Sequence, residues 1–136
     1  MPAAQLCEGL ITTAGVVSEA LRVVVAHHVL TPHPLVLEGD VLLPAMAQHQ
    51  VDVDPETRGH VRAVFLHEEN EAILLTGMRG RGRGFERYSA TEQANQVRAA
   101  QLYGQWLRHE AERRGLPSLA ARPYETLVER ILASIE

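Results

Sequence analysis

The residues best placed to do chemistry are Glu38 and Asp40. A short apolar run, Leu35 to Leu37, ends abruptly in Glu38, Gly39 and Asp40. Side chains two apart on an extended strand project the same way, so both carboxylates would face one site. Acids at a strand end hold Mg²⁺, directly or through water, or orient a substrate hydroxyl during phosphoryl transfer. Asp40 is the candidate Mg²⁺ ligand and Glu38 its neighbour in that role. The plainer alternative is a strand-end turn, with Gly39 reversing the chain and Asp40 capping the next helix. All 13 basic residues are arginine, so the chain holds no lysine and no G-x-x-x-x-G-K-[ST] phosphate loop.

A second candidate lies at residues 77–88, GMRGRGRGFERY, where arginine and glycine alternate. An arm carrying Arg79, Arg81, Arg83 and Arg87 would close over phosphates, neutralise developing charge and exclude water. It also reads as a solvated loop, or as an Arg/Gly RNA contact. The net charge of −4 and the single short run speak against RNA. The histidines show no metal pattern: adjacent His27 and His28 diverge on a helix, and no H-E-x-x-H is present. Cys7 is the only cysteine, which rules out an internal disulfide and reads as a core residue. There is no G-x-S-x-G elbow.

The elements that must position these groups read as follows. A helix spans residues 4–29 and is stopped by Thr31-Pro32-His33-Pro34. Strands are expected at 34–38, 61–66 and 116–120. Between them come a short helix from Asp40 to Gln48, a polar stretch at 49–59, and a helix at 68–76. Ser89 and Glu92 form a capping box for a helix to about Arg114. That helix buries Val97, Ala100, Gly104, Leu107 and Ala111, and Gly115 supplies its left-handed cap. Pro123 opens a last helix with Leu127, Val128, Ile131, Leu132 and Ile135 on its apolar face. Strands alternating with helices imply an α/β fold with a short parallel sheet of about three strands flanked by helices.

At 136 residues the chain is expected to form one domain, 1–136. Its parts are an acidic strand-end motif at 34–48, an Arg/Gly lid loop at 77–88, and a last strand, loop and helix at 116–136. The stretch from Val16 to Leu30 is interrupted by Ser18, Glu19, Arg22, His27 and His28, and is expected to be too short and too polar to span a bilayer. Residues 1–15 hold no arginine, so they are not expected to be the basic start of a signal peptide. A reducing cytoplasm is the expected compartment.

Five stretches in order, VLEGDVLLPAMA, VRAVFLHEENEAIL, the Arg-rich loop, QLYGQWLRHEAERRGLPSL and ARPYETLVERIL, resemble the C-terminal two-thirds of a P-loop kinase family described as 2-phosphoglycerate-kinase-like or nucleotide-kinase-like. The resemblance implies a partial three-layer P-loop-kinase-like fold with ATP and Mg²⁺ as cofactors. It places Glu38 and Asp40 near Mg²⁺ and the phosphoryl acceptor, and Arg79, Arg83 and Arg87 in the lid. Arg122 and Pro123 fall in the loop against adenine. The family's first strand, phosphate loop, next helix and second strand have no counterpart. The expectation is a truncated kinase portion with a misassigned start at Met1, inactive alone. The alternative is a non-catalytic assembly module that binds another chain, or itself, through an exposed sheet edge.

Overall fold

The computed structural model describes residues 1–136. Helix α1 spans Ala3–Val29, α2 Pro44–Gln48, α3 Glu71–Gly80, α4 Ala90–Arg113 and α5 Leu127–Ile135. The sheet has two short strands, β1 Phe65–His67 and β2 Ser118–Ala120. They run parallel, with Phe65 opposite Ser118 and His67 opposite Ala120. Helix accounts for 63% of the chain and strand for 4%, so the fold is helix-dominated. The expected three-stranded α/β fold of P-loop-kinase type is therefore wrong.

The reason lies in the first expected strand. Residues 34–39 form no helix, and they belong to no sheet. No backbone hydrogen bond is made by residues 34–38. An apolar run has strand propensity, yet a strand exists only where a neighbour accepts its backbone groups. Here Val36 is 92% exposed, with Leu35 and Leu37 also in solvent. The other two strands appear where expected but shrink to three residues each.

The core is organised by α4. Its buried side carries Val97, Ala99, Tyr103, Gly104, Leu107 and Ala111, close to the expected stripe. Against it lie α1, through Cys7 and Ala14, the sheet, through Phe65, and Leu116 just before β2. The capping box forms as its sequence predicts: the Ser89 hydroxyl accepts from the Glu92 amide, and the Glu92 carboxylate accepts from the Ser89 amide at 2.8 Å. Gly115 ends the helix at φ +69°, a conformation that favours glycine. Helix α3 starts later than expected because Asn70 caps it, and it absorbs Arg79 into its last turn.

Two further differences bear on the site. Asp40 caps no helix, since α2 begins at Pro44 after Leu43. The stretch 49–59 is not a simple polar loop. Residues His49–Val53 extend α2 as one π-helical turn, closed by the Asp54 amide donating to the His49 carbonyl at 2.8 Å. Gln50 and Thr57 are buried, with the Thr57 hydroxyl donating to the Gln50 carbonyl at 2.8 Å.

Burial is sparse: 19 of 136 residues are buried, and the accessible surface is 8852 Å². A compact monomer of 15.0 kDa is expected to expose about 7,000 Å², so the chain shows roughly a quarter more surface than that. The α5 face predicted to be buried instead leaves Val128 and Leu132 largely in solvent.

Because so few side chains form the core, each counts. Leu107→Ala should lower unfolding stability by about 2–5 kcal/mol, read as an earlier urea midpoint with an unchanged slope. A loss below about 0.5 kcal/mol, within the range of surface substitutions, would show that α4 is not the packing centre.

Candidate functional site

Parallel pairing puts the carboxyl ends of β1 and β2 on the same side, where ligands bind open parallel sheets. His67 is followed by Glu68 and Glu69, and Ala120 by Ala121 and Arg122. The Arg122 Nε lies 3.6 Å from Glu68 Oε2, and its guanidinium sits 4.5 Å above the Tyr124 ring centre. Glu68 Oε1 accepts from the Asn70 amide at 2.9 Å. Arg130 donates to the carbonyls of Ala120 and Pro123 at 2.7 and 2.8 Å, pinning the loop that carries Arg122 and the cis peptide to Pro123.

Helix α4 passes close behind this end of the sheet. The approach is an ordinary packing distance: a Cβ at Gly104 would lie 3.5 Å from the Glu68 carbonyl, in van der Waals contact. Its neighbours on α4 add two contacts. Arg108 Nε stands 2.9 Å from Glu69 Oε1, and neither atom makes a hydrogen bond, so the attraction is Coulombic without hydrogen-bond geometry. The Tyr103 hydroxyl donates to the Asp40 carbonyl, which brings the acidic segment to the same level of α4.

Glu38 and Asp40 are both exposed, and neither carboxylate takes part in a hydrogen bond or ion pair. They share a segment but not an enclosed site. No group of three or more His, Cys, Asp or Glu side chains converges to hold a metal. A Mg²⁺ on Asp40 would need most of its oxygens from water and phosphate.

The expected lid is partly anchored. Arg79 donates twice to Gln93 Oε1, at 2.9 and 3.3 Å, and Gln93 donates to the Tyr88 carbonyl at 2.9 Å. Arg79 thus braces the loop instead of standing free for phosphate. Phe85 is buried and fastens the loop's middle. Gly82 and Gly84, at φ +61° and +77°, make the reversals around it. Arg83 and Arg87 project into solvent without a hydrogen-bond or ion-pair partner. No such contact joins them to Glu38, Asp40 or Arg122.

Sequence reasoning selected Arg122 but not its partners. Glu68 was legible as an acid directly after an apolar strand. Arg108 and Tyr103 were not, because which α4 residues face the sheet end depends on how the helix is docked.

Helix α1 is long and apolar enough to cross a membrane by length and composition, in contrast to the expectation from Val16 to Leu30 alone. In this fold one side of it is held by the body. The Ser18 hydroxyl donates to the Val41 carbonyl at 2.7 Å, and Arg22 lies 3.2 Å from the His49 ring.

Comparisons with family models, with curated proteins and with solved structures found no match. The likeness to P-loop kinases rests on the sequence motifs alone.

Tyr103 offers a direct probe of this region. Its pKa is pushed from 10.0 to about 12, first by burial, then by the negative charges of Asp40 and Cys7. The folded chain therefore holds this proton where the unfolded chain releases it. The stabilisation is complete below pH 10 and declines as pH rises toward 12. Tyr103→Phe should remove one phenolate transition near pH 12 from the ultraviolet titration and cost about 1 kcal/mol through the lost hydrogen bond. Loss of a transition at pH 10 instead would show Tyr103 to be solvated.

Proposed function

We propose that this chain is a binding component whose segment 34–38 takes up an extended strand of another polypeptide. The observation that carries this is the set of backbone groups left open. Residues 34–38 belong to no helix or sheet and make no backbone–backbone hydrogen bond, and β1 is paired on one edge only. Residues 34, 35 and 37 face residues 60–62 across an open cleft of about 450 Å³, which Val25 and Val29 also line. A strand laid along 34–38 would satisfy the waiting amides and carbonyls, while alternate side chains would enter a cleft of mixed character, with Val25, Val29 and Val61 beside His28, His60 and Arg62. The large accessible surface supports the same reading.

A second reading concerns what the completed unit does. The pairing of Glu68 with Arg122 at the sheet's carboxyl end, and the free Arg83 and Arg87, favour ATP-dependent phosphoryl transfer to a small molecule or nucleotide. In that role Asp40, with Glu38 beside it, orients the acceptor or a Mg²⁺. Arg83 and Arg87 offset charge on the transferred group. Arg122 and Pro123 lie against the adenine, with one face of the Arg122 guanidinium already resting on Tyr124. The phosphate cradle comes from the other polypeptide, because an arginine-only chain has no lysine for a phosphate loop. The cytoplasm is the compartment that suits a nucleotide substrate and a single buried thiol.

Selection from a display library of random extended peptides should yield binders with alternating apolar residues. Their affinity should collapse in Val36→Pro, which removes a ladder amide from a fully exposed position. A library that yields no binder, or binders indifferent to Val36→Pro, would count against strand uptake. The chain by itself should show no ATP turnover; robust turnover would mean that no second polypeptide is needed.

A further inference from the structure

Helix α1 has two apolar faces, and the fold uses one. Cys7, Ala14 and Ser18 are buried against the body, with Ile11 packed beside them. On the opposite side Val16, Ala20, Val23, His27 and Leu30 follow one another at intervals of four, three, four and three. All five are exposed, and Val16, Val23 and Leu30 are 73%, 71% and 78% exposed. A surface helix ordinarily turns charged residues to solvent here. A four-three spacing is the seam of two helices packed knobs-into-holes.

We propose that this outer face pairs antiparallel with the same face of a second copy of the chain. A two-fold dimer needs a patch that matches itself, and an antiparallel seam centred between Ala20 and Val23 does so, setting Ala20 against the partner's Val23 and Val16 against the partner's His27. Charge selects the direction. Glu8 and Glu19 lie in the N-terminal part of α1, and Arg22, His27 and His28 in the C-terminal part. Antiparallel pairing sets Glu19 near the last turns of the partner helix, where His27 and His28 lie, and opposes the helix dipoles, whereas parallel pairing aligns them. The surface in excess of a compact monomer is more than the roughly 800 Å² per partner that a standard interface covers.

Lipid is the rival occupant, and α1 is poorly made for it. Interfacial helices are rich in Lys and Arg on the polar face. Here the single arginine, Arg22, is paired with Glu19 at 3.1 Å and turned toward His49. Spanning a bilayer would strip the inner face from the body to which Ser18 is bonded. The seam is also separate from the strand cleft, which meets α1 through Val25, His28 and Val29.

Sedimentation equilibrium of the full chain, from micromolar to submillimolar concentration, tests the pairing. The chain should dimerise. Val23→Glu and Leu30→Glu, both at exposed positions, should each weaken the dimer at least about tenfold with unchanged circular dichroism. Val36→Glu, in the strand segment, should leave it intact. A monomer throughout would overturn the proposal, as would a dimer that survives both helix substitutions or is lost equally in Val36→Glu. On a Cys7→Ser background, Ala20→Cys mixed with Val23→Cys should give mainly the mixed disulfide; mainly Ala20 self-crosslinks would overturn the antiparallel direction. Flotation with neutral phosphatidylcholine vesicles that is abolished by Val23→Glu would assign the face to lipid instead.

Discussion

The rest of the structure depends on the packing of its neighbours against one side of α4. Ala99, Gly104 and Ala111 are buried on one side of a long helix, so neighbouring backbone can come close. Gly104 lies beside the chain leaving β1, and Ala111 is fully buried in the cluster that also holds Ala14 of α1 and Leu116 before β2. With few aromatics to fill space, small side chains and close approach replace bulk packing. This one helix thereby sets where the two strands sit, how α1 lies, and which residues stand at the sheet's carboxyl end.

That arrangement covers one side of the molecule well and another side poorly. The elements against α4 share a continuous core. The outer face of α1, the segment 34–38 and part of α5 remain apolar and wet. Water satisfies exposed backbone groups, so the segment 34–38 carries no hydrogen-bond penalty, but exposed valine and leucine forgo the burial that drives association. A chain with these surfaces has more to gain from partners than from further self-packing. The strand cleft and the α1 seam meet that need with different geometry, one through backbone pairing and one through side-chain interdigitation.

The chemistry-bearing groups follow the same division. Glu68 and Arg122 meet because two parallel strands end together and Arg130 fastens the following loop. Arg79 is spent on shaping the loop that carries Arg83 and Arg87. Glu38 and Asp40 ride on a segment held to α4 chiefly through Tyr103 and the Asp40 carbonyl. The acids thus stand at the level of Tyr103 on α4 while their carboxylates stay open to solvent.

Local signals in the sequence determined α1 and α4 and their ends. The capping box at Ser89 and Glu92, the left-handed Gly115 and the stop after Val29 are interactions among residues a few positions apart, so their outcome needs no knowledge of the rest of the chain. The same holds for the apolar stripe of α4 and for Cys7 as a core residue. Only the tertiary structure decided that Leu35 to Leu37 would not become a strand. A strand is completed by a distant neighbour, and nothing in this fold lies alongside to pair with it. Docking likewise decided that Gln50 and Thr57 are buried, that Glu68 meets Arg122, and that one apolar face of α1 is covered while the other faces water. Periodicity shows that a helix has an apolar face, whereas packing decides which face is covered.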